Sequence, residues 1–268
     1  MAHMRSEKRP VAVVTGASRG IGRAIALHLA EAGFDLVIVS RSLGDPKEPN
    51  TLAHTEALIN QQGRRCLAVP LDISDLAAHA SFLEQMQREK LRLDVVVCNA
   101  GIAPPQRLPL LETTPENWDT VMGVNLRGTF FFAQALARYM ISTPKSPHMG
   151  MRKFIFITSI SAYAASVNRV EYCAAKAGLS LVARCFAVAL APYDIAAYEV
   201  RPGLITTDMT AAVHDVYTER IQGGLLLEPR WGTPDDVARA VRSLAVGDFD
   251  YSTGTVFEVS GGFGVSRL

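Results

Sequence analysis

Cysteine is sparse in this chain, with four in 268 residues (Cys66, Cys98, Cys173 and Cys185) and no C-x-x-C pair among them. That spacing excludes a disulfide framework and a cysteine zinc knot, so buried free thiols in a reducing cytosol are the expectation. Histidine is thin as well: six residues are scattered singly, without H-E-x-x-H spacing, and no metal site is expected. Net charge is nearly absent, with 27 Lys and Arg against 26 Asp and Glu. Neither nucleic acid nor an anionic membrane surface would find a basic footprint. No apolar run approaches the roughly 20 residues of a membrane span, and Met1 to Pro10 is too polar for a signal peptide. The protein is therefore expected in the cytoplasm. Residues 1–9 read as a tail whose "MAHM" start has the form of an expression scar.

What the chain does have is a regular alternation. Short apolar runs at 11–15, 36–40, 66–71, 93–99, 154–159, 196–200 and 255–259 alternate with segments of helical period at 21–32, 51–62, 76–90, 115–140, 172–191 and 234–246. The runs are continuously apolar, as strands buried on both faces must be, so the pattern predicts a parallel sheet with helices on both sides. Thr114-Pro115 and Thr233-Pro234 each place a capping hydroxyl before a proline suited to a first helical turn. The stretches 42–50 and 142–150 read as exposed loops, and 204–230 as a cover over a site at the strand ends.

The first strand runs directly into "TGASRGIG", Thr15 to Gly22, and then into a helix. Glycines there let backbone approach a pyrophosphate, and the helix N-terminus offers N–H groups to its charge. Gly16, Ser18, Arg19, Gly20, Ile21 and Gly22 are accordingly predicted to hold a dinucleotide. The fold expectation is α/β, a single Rossmann-type doubly wound domain over 10–268 with a seven-stranded parallel sheet. Where NAD binders place an acidic residue after the second strand, this chain has Ser40 and Arg41. A hydroxyl and a guanidinium suit a 2′-phosphate that a carboxylate would repel, and Arg19 adds a second cation, so NADP(H) is favoured over NAD(H).

Together with "LDISD", N-A-G at Asn99, Ala100 and Gly101, Asn125 in "GVNLRG", Ser159, Y-x-x-x-K at Tyr172 and Lys176, and "RPGLITTDM", this loop resembles the short-chain dehydrogenase/reductase family from Pro10 to Gly262. Its 3-oxoacyl-[acyl-carrier-protein] reductases are the most similar members. The resemblance implies that Asp72 and Ile73 hold the adenine, that Asn99, Ala100 and Gly101 line the groove, and that Pro202, Gly203, Ile205 and Thr207 meet the nicotinamide end. Cys98 departs from the pattern, since many members carry a second asparagine there.

The resemblance also implies a catalytic set of Asn125, Ser159, Tyr172 and Lys176. Reduction of a carbonyl needs a proton donor within reach of its oxygen, and a tyrosine, ordinarily titrating near 10, needs a charge beside it to serve. Lys176 is one helical turn from Tyr172 and is expected to lower the phenol's pKa while reaching the nicotinamide ribose. Ser159 would hold the substrate oxygen and Asn125 a relay water, while Ser161 reads equally as a substrate contact or a structural hydroxyl.

The expected reaction is reduction of a ketone to a secondary alcohol, with a 3-oxoacyl thioester as substrate and an acyl carrier protein as partner. Members that use carrier protein have basic residues at the outer end of the Tyr-Lys helix, whereas here that end reads "AVALAPYDIAA"; Arg152 and Lys153 are the candidates to compensate. The alternatives are a dehydrogenase of a sugar, polyol or other small alcohol and, in another class, a non-catalytic dinucleotide-binding regulator. The resemblance further implies a homotetramer built on the Tyr-Lys helix and the long helix before it. "VSGGFGVSRL" reads as a second interface or an exposed tail.

Overall fold

In the computed structural model, residues 9–147 and 149–267 are described, and the reading of the first four residues as a scar lies outside them. Seven strands, β1 (Val11–Thr15), β2 (Asp35–Ser40), β3 (Cys66–Pro70), β4 (Val95–Cys98), β5 (Arg152–Ile157), β6 (Ile195–Pro202) and β7 (Val256–Val259), form one sheet in the order β3-β2-β1-β4-β5-β6-β7. Every pairing is parallel. This is the doubly wound α/β fold expected from the sequence, and its strand order reverses between β1 and β4, where such sheets open a crevice at their carboxyl ends.

Alternate residues of each central strand feed two separate cores. Val11, Val13, Val37 and Val39 pack with Phe82 and Met86 of α3 (Ala78–Arg88), Phe132 and Leu136 of α5 (Thr129–Ser142), and Phe186 of α6 (Val170–Leu190). Ala12, Val14, Leu36 and Ile38 pack on the other side with Ile25 and Leu29 of α1 (Gly20–Glu31), Ile59 of α2 (Leu52–Gln61), and Val241 and Leu244 of α8 (Pro234–Val246). Both predicted Thr-Pro starts are made. Thr114 caps α4 (Pro115–Met122) through the Asn117 N–H, and Thr233 forms a capping box with Asp236.

Two elements depart from expectation. The long helix predicted over 115–140 is interrupted: Gly123–Gly128 winds as a π-helix between α4 and α5, and Asn125 lies in it. Helix α6 and the turn after it, Val170–Tyr193, do have the length and mean hydropathy of a membrane span, contrary to the reading of the sequence. Its buried positions, including Tyr172, Lys176, Leu179, Ala183 and Phe186, lie against the sheet and neighbouring helices.

The segment expected to cover the site contains α7 (His214–Gln222) and has a small core of its own. Leu204, Ile221 and Leu226 pack together with Tyr217, Trp231 and Phe263 around them.

Candidate active site

The glycine loop is held between the ends of β2 and β4. Gly16 and Ala17 donate to the Val39 carbonyl at 2.7 and 3.2 Å. Thr15 Oγ1 accepts the N–H groups of both Asn99 and Ala100, at 3.0 and 2.9 Å, while Asn99 Nδ2 donates back to the Thr15 carbonyl at 2.9 Å. Gly16 has φ +69°, and a Cβ there would stand 2.9 Å from the Ala100 Cα. Only glycine satisfies both demands.

α1 begins with no side-chain cap at Arg19 and no acidic residue in its first turn, which leaves its N–H groups and dipole free for an anion. These residues fit a dinucleotide pyrophosphate. Ser40 and Arg41 follow Val39 beside the loop, and Asp72 and Ile73 follow Leu71, whose N–H bonds the Ser40 carbonyl at 2.7 Å. The loop also meets the cover: Thr207 lies over Gly20, and Arg19 Nη1 pairs with Asp208 at 3.1 Å. Arg19, predicted as a cofactor cation, thus spends its charge on the cover, while Arg41 is exposed and forms no ion pair among the described residues. Pro202 ends β6, Gly203 is fixed by its N–H bond to the Val259 carbonyl, and Ile205 bridges to Gly232.

Thr15 offers a check on this frame. Thr15→Val leaves the half-buried Ala100 N–H without an acceptor and takes one of two acceptors from the Asn99 N–H, and is expected to lower the unfolding free energy by about 1 to 3 kcal/mol, read as a drop in the urea midpoint.

The four predicted catalytic residues converge next to this frame. Asn125 is fully buried; its Oδ1 accepts the Ile102 N–H at 2.8 Å and its Nδ2 donates to the Ile102 carbonyl at 2.9 Å. Both side-chain groups are therefore bonded to the chain just beyond N-A-G. The π-turn, whose i→i+5 bonds enclose one more residue than those of an α-helix, accompanies this orientation of the asparagine. A methyl group on Gly101 would lie 3.2 Å from Asn125 Oδ1 and 3.6 Å from Lys176 Nζ, so those two groups flank the same point. Ser159 Oγ accepts the Ser161 N–H at 3.1 Å, which leaves its own proton free to donate. Ser161 is buried and serves that turn.

Lys176 Nζ lies 5.7 Å from the Tyr172 ring centre and donates to the Ile157 carbonyl at 2.9 Å. Burial lowers its pKa to about 8, against a raising influence from Glu199. Burial pushes the Tyr172 phenol above its ordinary value, and Arg169, the Ser159 hydroxyl and Arg107 draw it back. The cations that act on the phenol here are thus arginines, where the sequence pointed to Lys176 alone.

Several residues of this neighbourhood were not singled out in the sequence. Glu199, on β6, accepts hydrogen bonds from Thr158 at 2.5 Å, Ser180 at 2.7 Å and Arg201 at 2.9 Å, and it is almost wholly buried behind Lys176. Arg201 in turn stacks on Tyr163. A glutamate and an arginine two apart in an otherwise apolar strand were the available signal. Arg169, three positions before Tyr172, stands over its ring, a placement that helical spacing could have given. The candidates for a basic patch fail: Lys153 is fully buried on Asp250 at 3.0 Å, and Arg152 is buried on the carbonyls of Met140 and Thr143. Neither presents charge to a carrier protein.

The protein belongs to the short-chain dehydrogenase/reductase family: residues 16–264 match the family model described as enoyl-(acyl carrier protein) reductase. It is 32% identical over 259 residues to a 2-dehydro-3-deoxy-D-gluconate 5-dehydrogenase of Dickeya dadantii, covering 94% of each chain. Among solved structures it is similar to a 3-oxoacyl-[acyl-carrier protein] reductase from Brucella melitensis in complex with NAD, with TM-score 0.91, 38% identity, and 97% and 99% of the two chains covered. A gluconate 5-dehydrogenase from Burkholderia cenocepacia in complex with NADP and tartrate matches with TM-score 0.85 and 28% identity, over 99% and 100% of the chains. The protein is accordingly an oxidoreductase of CH–OH and C=O groups that uses a nicotinamide dinucleotide.

Proposed function

We propose that this chain reduces a ketone to a secondary alcohol with NADP(H), through Tyr172 as proton donor. The observation that carries the reading is the convergence of Tyr172, Ser159, Lys176 and Asn125 beside a glycine loop whose shape suits a pyrophosphate. The dinucleotide, held by Gly16 to Gly22, Asn99 to Gly101 and the Pro202 to Thr207 turn, supplies the hydride when bound. Ser159 donates to the substrate oxygen and holds it at the phenol. Tyr172 gives that oxygen its proton, and the Lys176 ammonium stabilises the phenolate that forms. Asn125 fixes the chain at Ile102, just beyond N-A-G, and flanks Gly101 together with Lys176.

The preference for NADP(H) rests on Ser40 and Arg41 at the end of β2, where a carboxylate would repel a 2′-phosphate. Ser40→Asp is expected to lower the ratio of kcat/KM with NADPH to that with NADH by about 10- to 100-fold. No change in that ratio would refute the assignment.

Two substrate classes follow from the relatives: a 3-oxoacyl thioester carried by an acyl carrier protein, and a sugar-derived ketone or alcohol. The burial of Arg152 and Lys153 favours the second. Rates with an acetoacetyl thioester against a panel of sugar and sugar-acid ketones separate them. A homotetramer in the cytoplasm is the proposed form. Its interface would use the groove of ≈ 630 Å³ lined by Met122, Leu126, Phe130 and Val182, and the exposed Leu181 and Val188 of α6.

A further inference from the structure

Two guanidinium groups stand near Tyr172 without acidic partners. Arg169, the residue before α6, is half-buried, and its guanidinium carbon lies 5.3 Å from the Tyr172 ring centre. Arg107 is placed by its neighbour. The Asn117 side-chain amide accepts the Gln106 N–H at 3.2 Å and donates to the Gln106 carbonyl at 3.1 Å. The same amide nitrogen donates to Glu171 Oε1 at 2.5 Å. Asn117 and Glu171 are 6% and 1% exposed, so a buried brace ties the segment after β4 to the first turn of α6. That brace fixes the backbone of the residue before Arg107 against the first turn of α6, two residues from Arg169, and both guanidinium charges favour the ionised phenol.

Neither arginine forms an ion pair or a side-chain hydrogen bond among the described residues, a state they share with Arg41, whereas Arg9, Arg19, Arg65, Arg201, Arg230 and Arg239 are paired. Glu171, two positions after Arg169, is buried in the brace: its Oε1 accepts from Asn117, its Oε2 has no hydrogen-bond partner, and it forms no ion pair with either arginine. An arginine kept simply in water accounts for Arg107, which is exposed. It does not account for Arg169, held half-buried over the ring of the reacting tyrosine.

From this arrangement we infer that Arg107 and Arg169 form an anion subsite at the mouth of the active site, and that the substrate is a short oxo- or hydroxy-acid whose carboxylate they bind. The inference rests on the ketone-reducing reading above and narrows its substrate. A guanidinium offers paired N–H donors to a carboxylate, which fixes orientation as well as charge. With the carboxylate on the arginines, the carbonyl oxygen lies towards Tyr172 and Ser159. In reduction the carbonyl carbon accepts a hydride from the dihydronicotinamide and its oxygen accepts the phenol proton. The products are the hydroxy-acid and the oxidised dinucleotide, the phenolate then regains a proton from solvent, and the carboxylate is unchanged.

The test compares matched acids and neutral esters on the full-length enzyme with NADPH: acetoacetate, 4-oxopentanoate and 5-oxo-D-gluconate against their methyl esters, by kcat/KM. At least one acid is expected to exceed its ester by about tenfold, and Arg107→Met with Arg169→Met to cut that ratio by about 10- to 100-fold. Arg169→Lys should keep part of it, and added salt should lower it in the unaltered enzyme, which gives a reading even if the double variant fails to fold. Esters or an acetoacetyl thioester reduced as well as the acids, or a ratio unmoved by the variants and by salt, would overturn the inference. Calorimetric binding of gluconate in the presence of NADP separates this failure from failure of the reductase reading. Arginine-dependent binding by an enzyme that reduces none of the ketones overturns the reductase reading and supports the subsite; arginine-independent or absent binding overturns the subsite.

Discussion

Tyr172→Phe is expected to lower kcat/KM for ketone reduction by about 10³-fold while cofactor affinity stays within a few-fold of the original. The substitution removes one oxygen and leaves the ring where apolar packing with Val121 and Ala175 and the stacking of Arg169 place it. Ser159 still polarises the carbonyl, so the loss measures proton donation specifically. Residual activity within tenfold of the original enzyme would remove Tyr172 from the mechanism. Cofactor affinity, read by fluorescence titration, checks that the site is still formed.

Lys176→Met should have opposite effects on rate and on stability. Without the ammonium, the phenolate in its desolvated pocket keeps only the Ser159 hydroxyl and the less buried Arg169 and Arg107, and kcat should fall about 100-fold. The folded-state pKa of about 8 lies below the value of 10.5 that an unperturbed lysine has. The unfolded chain therefore binds more protons than the folded one between those values, and stability rises with pH across that window. Below pH 8 the buried ammonium is fully charged and its cost is greatest, so replacing it should raise the unfolding free energy at neutral pH by on the order of 2 kcal/mol.

The same value sets the rate profile. Reduction should hold steady below pH 8 and fall above it as Lys176 loses its charge, because the phenol, held above its ordinary value, keeps its proton in that range. Glu199→Gln removes the influence that raises the lysine and should move this limb to lower pH. A limb that Glu199→Gln leaves in place, and that persists in Lys176→Met, would assign the titration to another group.

Most of the frame was legible because it is written in short-range terms. Continuous apolar runs gave the strands, Thr-Pro pairs gave two helix starts, and "TGASRGIG" gave a turn that only glycine at position 16 can make. The π-turn at Gly123–Gly128 was not legible, since its residues read as ordinary helix and the deviation accompanies the two bonds of Asn125 to Ile102, 23 positions away. Arg152 and Lys153 misled for a related reason. Their charges begin a strand, and nothing local says that Asp250 and the end of α5 enclose them. Arg107 escaped notice because its position depends on the brace from Gln106 through Asn117 to Glu171.

The cover packs largely on itself: Leu204, Ile221 and Leu226 meet Tyr217 and Trp231, Trp231 stacks on His214 at 4.7 Å, and both main cores are complete without α7. Such a segment can open, or change its residues, as a unit of low cooperative cost while the sheet stays folded. The segment over Gly20 and the main folding cores thereby lie in different parts of the chain, so that segment can drift in evolution while the sheet and α6 are left intact.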